Sequence, residues 1–291
     1  MADFFNDKRF ACQDRKCQGR AQNLPAAFHI GAVDLDHRDC RWPVEILISW
    51  FIMVIVKKFI QKTIHPWDLK PEEAIALQTK LARRVIRKSR FRPNGMMTVA
   101  GVDAAYRDDI AHAAVVVVDL KDLKTIEKAV AAKPVAFPYV PSLLSFREGP
   151  VILKALGKLK SPPDLLMIDG QGVAHPRRFG IASHIGLLTD IPSIGCAKTR
   201  LVGDYEAPHR SGGSTSYLTD GKETIGAVVR TRTGVKPVFV SIGHLMDLND
   251  SIRAVLKSCC GYRLPEPIRR ADHLSRKQIK TTKGTKFTKI I

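Results

Sequence analysis

The sequence predicts an α/β fold: one domain built on a mixed sheet of five to six strands with helices flanking it. Three observations carry this reading. Strand-like segments at 97–106, 111–120 and 125–135 follow one another across short turns, the pattern of an antiparallel start. From about residue 150 onward, apolar strands alternate with helical stretches, the pattern of crossover units. "DLLMIDG" (164–170) has an unbroken apolar run that suits a central parallel strand covered on both faces.

The elements follow in order. A helix begins at Pro71, Glu72 and Glu73, residues suited to a first turn, and Ile75, Leu77, Leu81 and Val85 give it an apolar stripe. Arg83, Arg84, Arg87 and Lys88 close it; some complement the helix dipole and others are candidates for phosphate contact. "MTVAGVDAAY" and "AHAAVVVVDL" form a hairpin across "RDDI", and "TIEKAVAAKPV" adds a third, more exposed strand. A helix is expected over about 150–159. After "DLLMIDG" comes a helix in "GIASHIGLLTD", with Ile181, Ile185 and Leu188 on one side, then a short strand in "PSIGCAK". "TIGAVVRTR" and "PVFVSIG" read as strands and "LNDSIRAVLKSCC" as a helix. A three-strand antiparallel start followed by α/β crossovers is the ribonuclease H-like order.

Residues 1–66 read differently and are set apart as an N-terminal extension. Their one notable stretch, "ILISWFIMVIV" (46–56), carries no charge. It is shorter than the roughly 20 residues a spanning helix needs. It reads as a buried strand, an interfacial anchor, or translation from an upstream start with Met53 opening a shorter protein; the last is preferred. Residues 67–276 are expected to form one domain and 277–291 a basic tail, in which Lys277, Lys280, Lys283, Lys286 and Lys289 follow Arg276 without an acid.

The formal net charge of +19 predicts a polyanionic partner, and nucleic acid is favoured over an anionic membrane. The six cysteines include no CxxC pair, which implies reduced thiols and a cytoplasmic protein. Cys12, Cys17, His29, His37 and Cys40 match no standard zinc spacing.

The chemistry lies in carboxylates. Asp103 sits inside a strand, where Asp is disfavoured, among small neighbours that leave room for approach. Asp169 ends the next strand but two, before Gly170; alone it would be a turn residue, but in this topology the two strands are neighbours. Glu148 belongs either to a capping box with Ser145 or to the mouth of a helix opened by Pro150. Clustered carboxylates repel unless a cation joins them, and hard oxygen ligands favour Mg²⁺, with Mn²⁺ as a substitute. His175 follows Asp169 behind two glycines, and Lys198 ends a strand as a point charge suited to a phosphate oxygen. Arg177 and Arg178 lie beside the site, and His244, at another strand end, is a weaker member.

"VAGVDAAY", "FPYVPSLLSFREGP", "DLLMIDGQGVAHPRRFGIASHIGLL", "IPSIGCAKTRLVG", "VSIGHLMDL" and "RLPEPIRRADHLSR" resemble, in order, the motifs of the endonuclease V family. The resemblance runs from about 67 to 276. It implies a ribonuclease H-like, Mg²⁺-dependent DNA repair endonuclease. Such an enzyme recognises deaminated bases, chiefly deoxyinosine, and cuts the second phosphodiester bond on the 3′ side. It implies that Asp103, Glu148 and Asp169 bind the metal and that His175, Lys198 and His244 support catalysis. It makes Tyr139 the wedge that separates the strands, stiffened by Pro138 and Pro141, and the loop 142–148 the wall of the base pocket. Ser142, Leu143, Gly170, Gly172 and Arg177 complete the expected DNA-contact set. In the mechanism it implies, a water attacks phosphorus in line, Lys198 stabilises the charge, and His175 assists the leaving group or positions water. Two rival expectations stand beside it: a nuclease for inosine-containing RNA, and a lesion-binding protein that does not cut. Ser142 departs from the family, which usually has glycine there; a positive φ at that position would cost energy or shift the pocket.

Overall fold

The computed structural model describes residues 64–90 and 98–281. The apolar run 46–56, the five residues weighed as zinc ligands and Lys283, Lys286 and Lys289 lie outside them. Helix α1 (Pro71–Ala82) precedes strands β1 (Thr98–Arg107), β2 (Ile110–Asp119) and β3 (Thr125–Pro134). Then come α2 (Leu144–Leu156), β4 (Leu165–Ile168), α3 (Ile181–Thr189) and β5 (Ser193–Ala197). Strands β6 (Thr215–Asp220), β7 (Glu223–Val229) and β8 (Val238–His244) lead to helices α4 (Leu248–Lys257) and α5 (Glu266–Thr281). No helix among the described residues is long and apolar enough to cross a membrane.

All strands join one sheet in the order β3-β2-β1-β4-β5-β8-β7-β6. β1 pairs antiparallel with β2 and parallel with β4, and β4 runs parallel to β5. β8 is antiparallel to β5. The ribonuclease H-like α/β architecture is thus the observed one, but the sheet has eight strands where five to six were expected. The strand without a counterpart in the sequence reading is β6, where only Leu218 is buried and no apolar row announces it. β3, at the other edge, lies where a third, more exposed strand was expected and buries only Ala129 and Ala131.

Helices cover both faces. Val151, Ile152, Ala155 and Leu156 of α2 and Ile181, Ala182 and Ile185 of α3 pack against Ala100, Val102, Val115 and Leu166 on one side. Ala254 and Val255 of α4 and Ile268 and Ala271 of α5 pack against Val99, Val116, Ile194 and Val240 on the other. The long buried runs of β2, β4 and β5 follow from this double coverage.

Two helices differ from expectation. α2 starts at Leu144, so Pro150 lies inside it rather than at its first position. The proline removes one intrahelical donor. The helix persists because Val151, Ile152, Ala155 and Leu156 pack it on the sheet; Gly149 before the proline leaves room for Trp67, whose indole would stand 2.5 Å from a Cβ there. α5, unassigned from sequence, runs to Thr281, so the expected boundary between domain and basic tail at 276 falls within a helix.

Candidate active site

Register builds the centre of the site. Val102 of β1 pairs with Ile168 of β4, so the next residue on each strand is an aspartate, Asp103 and Asp169. The backbone N–H of Asp169 donates to Val102 O at 2.9 Å and holds the pair in step. β5, parallel to β4, delivers Lys198 to the same edge. α5 crosses β1 and adds Asp272 and Ser275.

Asp103, Asp169 and Asp272 each present a carboxylate oxygen within 4.8 Å of the others. Lys198 Nζ donates to Asp169 Oδ2 at 2.6 Å and to Asp272 Oδ1 at 2.8 Å. Ser275 Oγ donates to Asp103 Oδ2 at 2.5 Å. Burial, joined by the charges of Asp169 and Asp272, pushes the Asp103 carboxyl up to about 7 against the Ser275 hydrogen bond and Lys198. Burial draws the Lys198 ammonium down, but its bonds to the two aspartates prevail and hold it above the usual value. Three carboxylates with no thiol among them form a hard donor set that fits Mg²⁺ or Mn²⁺.

Glu148 is buried on α2, in its second turn, so neither sequence reading of it holds: the N-cap is Leu143, and Ser145 meets His184 Nδ1 at 3.0 Å rather than capping the helix. Tyr106 OH donates to Glu148 Oε1 at 3.0 Å. Burial pushes the Glu148 carboxyl up to about 8, and the Asp103 and Asp169 charges add to this. It therefore faces the centre electrostatically, although it stands outside the group of three.

Asp272 and Ser275 escaped the sequence reading. On a solvated helix, Asp272 and Arg276 look like a routine i,i+4 ion pair, and they do pair at 3.1 Å. The available signal was Asp272 and Ser275 three apart on one helical face.

The histidines are placed differently from expectation. His175 Nε2 donates to Ser142 O at 2.8 Å, and its Nδ1 accepts from Arg177 N at 3.1 Å. Nε2 serves the loop at Ser142 and Nδ1 the backbone two residues on, so both ring nitrogens are engaged away from the carboxylates; burial pulls the ring down to about 4 and keeps it neutral. His244 stands opposite Ser193, the first residue of β5, whereas Lys198 follows the last. It is at the other edge of the sheet because β8 is antiparallel to β5.

Pro138, Tyr139 and Pro141 are exposed, Tyr139 at 74%. Ser142 has φ 66°, the left-handed region its departure from glycine made doubtful. Leu143 is buried against Ala74, Phe137 and Phe146 and offers no surface to a base. Gly172 is also buried, with its position for a Cβ 1.9 Å from Ile242 O, so its role is close packing on β8 rather than DNA contact. Gly170 remains half-buried beside Asp169. Arg177 is held by Gln78 Oε1 at 2.6 Å and Ser142 Oγ at 2.6 Å. Arg178 is tied to Asp220 and Glu223.

The family model for endonuclease V matches residues 79–273. The chain belongs to the endonuclease V family. An endonuclease V of Methanothrix thermoacetophila is 49% identical over 223 residues, 76% of this chain and 98% of that protein. The crystal structure of endonuclease V from Streptomyces avermitilis is 47% identical with a TM-score of 0.71, covering 74% of this chain and 96% of that one. Endonuclease V of Ciona intestinalis, solved in complex with a 24-mer DNA containing an inosine followed by a ribo-adenosine, is 27% identical with a TM-score of 0.64, covering 73% of this chain and 98% of that one. Family membership makes the chain a nuclease. Asp103, Asp169, Lys198 and Asp272 all fall inside the matched span.

Proposed function

We propose that this protein is a divalent-metal-dependent DNA repair endonuclease that recognises deaminated bases, chiefly deoxyinosine, and hydrolyses the second phosphodiester bond 3′ to the lesion. The observation that carries it is the group Asp103, Asp169 and Asp272 with Lys198 against it, where the middle of β1 and helix α5 meet the carboxyl ends of β4 and β5. The inosine-containing DNA in the Ciona complex supports the substrate.

Asp103, Asp169 and Asp272 would hold the cation, and Glu148 supplies a fourth carboxyl nearby. When bound, a divalent ion supplies Lewis acidity toward a phosphate oxygen. Lys198 offsets the negative charge that gathers on the phosphoryl oxygens during in-line displacement. Glu148, buried on α2 and coupled to the Asp103 and Asp169 charges, would add its carboxyl to the surroundings of the cation. Tyr139 fills the gap left by an extruded base, and a mispaired inosine is cheap to extrude. Its place between two prolines limits the entropy it loses on insertion.

Incision of end-labelled duplexes carrying inosine, uracil, a mismatch or no lesion, with Mg²⁺ or with EDTA, tests the reading. Nicking strongest at inosine with Mg²⁺, at the second phosphodiester bond on the 3′ side, is expected. Equal nicking of all four, or nicking in EDTA, would overturn it. The ribo-adenosine after inosine in the Ciona complex favours a second reading, a nuclease for inosine-containing RNA. Matched strands differing only in ribose or deoxyribose 3′ to the inosine decide between them by relative kcat/KM.

A further inference from the structure

The wedge loop is anchored at both ends and strained between them. Phe137 and Leu143 are buried with Ala74 of α1, while Pro138, Tyr139 and Pro141 stand exposed. At Ser142 the chain turns through φ 66°, which a serine adopts only when its surroundings enforce it. Three donors converge on the Ser142 carbonyl: Gln78 Nε2 at 3.0 Å, His175 Nε2 at 2.8 Å and Arg177 Nη2 at 3.2 Å. The same guanidinium donates to Ser142 Oγ at 2.6 Å and, through Nε, to Gln78 Oε1 at 2.6 Å. Gln78 is 1% exposed, and its second bond from Nε2 goes to Phe179 O at 3.0 Å. The amide is fully used, and all of its bonds serve this turn and its support.

We propose that Gln78 and Arg177 form a clamp that fixes the left-handed turn at Ser142 and thereby sets how strongly the wedge loop discriminates a lesion from undamaged DNA. They are positioning residues acting through Ser142. Arg177, expected from sequence to meet DNA, is instead directed inward. A clamped turn presents Tyr139 already ordered, so little binding energy is spent on ordering the loop where the ring inserts, at a lesion; undamaged duplex, bound without insertion, gains nothing from that order, so a free turn weakens lesion binding selectively. Ser142 belongs to the device, because its hydroxyl gives the guanidinium an acceptor that glycine lacks.

The discrimination half rests on the function proposed above; the clamp itself does not. Two measurements separate them. Amide hydrogen exchange of the protein without nucleic acid, read over 138–146, is expected to quicken about tenfold in Gln78→Met, which loses its bonds to Ser142 O, Phe179 O and the Arg177 guanidinium together. Ser142→Ala, which keeps the backbone constraint and removes only the hydroxyl, should show a smaller rise, about threefold. With inosine duplex, KM should rise in the same order, about tenfold and threefold, with single-turnover rates at saturation within about twofold. Selectivity for inosine over undamaged duplex should fall in parallel. If Gln78→Met does not fold, Ser142→Ala, at a half-buried position, still decides. Unchanged exchange over 138–146 overturns the clamp. Quickened exchange with unchanged KM and selectivity, or no incision of inosine duplex by the unsubstituted protein, overturns the link to discrimination.

Discussion

The two ends of β5 lie about 16 Å apart at the usual strand rise, and they are used for opposite purposes. At the carboxyl end, Lys198 bridges Asp169 and Asp272 beside half-buried space. At the amino end, Ser193 faces His244 in a packed corner where Ser193 Oγ donates to Ala182 O and Gly186 and Gly243 have no room for a Cβ. β1, β4 and β5 are parallel, so their carboxyl ends gather on one edge, and the bends leaving that edge can hold side chains for a ligand. β8 runs the other way and brings its last residue to the packed edge. A polar residue at a strand end therefore says little until the strand's direction is known.

The largest test of this contrast removes charge at the carboxyl edge. Asp169→Ala should lower incision about 10³-fold or more, with Asp272→Ala and Asp103→Ala close behind, as expected for loss of metal-held transition-state stabilisation. Lys198→Ala should cost about 10²-fold, the scale of one electrostatic donor. Single-turnover incision of an inosine duplex measures all four. A wild-type rate for Asp272→Ala would remove α5 from the site.

Tyr139 sharpens the contrast from outside the sheet. Tyr139→Ala should weaken inosine-duplex binding about 10- to 100-fold, the worth of one stacked base, and leave the melting temperature unchanged because the ring is exposed. Binding by anisotropy in Ca²⁺, paired with a thermal melt, reads both; a large fall in melting temperature would show a packing residue instead.

The carboxyl edge also carries a pH signature. Asp103 and Glu148 bind protons more tightly in the folded protein than in the unfolded chain. Ionising them thus opposes folding: without a divalent ion their contribution is most favourable at low pH and is lost as pH rises from about 4 through about 7 for Asp103 and about 8 for Glu148. A cation favours the ionised forms, so the gain in melting temperature from Mg²⁺ over EDTA should widen by a few degrees between pH 5.5 and 8.5, about 4 °C or less per kcal/mol for a chain of this size. Parallel curves would mean that no cation binds at these carboxyls.

What the sequence made legible follows the same physics. Asp103, Asp169 and Lys198 were readable because each interrupts or ends an apolar run, and a charge there is costly unless it is used. Their convergence followed from the strand order. Asp272 was not readable, because an aspartate on an amphipathic helix has an ordinary explanation and only tertiary packing turns it inward. The edge strand β6 lacks a buried row, and a proline inside α2 reads in sequence as a first helical position, which hides the turn that begins at Leu144. Gln78 gave no signal at all: a polar residue in a helix is unremarkable until the chain beyond it folds back and presents a carbonyl.

The smallest expected effect is the most discriminating one. His244 accepts from Ile86 N at 3.2 Å through Nδ1, and its Nε2 lies 3.9 Å from Asp190 Oδ1. The first contact ties the segment after α1 and the second the end of α3 to the last residue of β8, so His244→Asn should lower stability by about 1–2 kcal/mol, the cost of disturbing a buried hydrogen bond. Incision under conditions where the variant is folded should stay within about twofold of the parent, because no carboxylate of the cluster is in reach. Combined with Lys198→Ala, the two effects should add in free energy, since the residues stand at opposite ends of β5. A drop of about 10²-fold in His244→Asn with an unchanged melting temperature, or strong coupling to Lys198, would place this histidine in the chemistry and refute the division of β5 into a working end and a packed one.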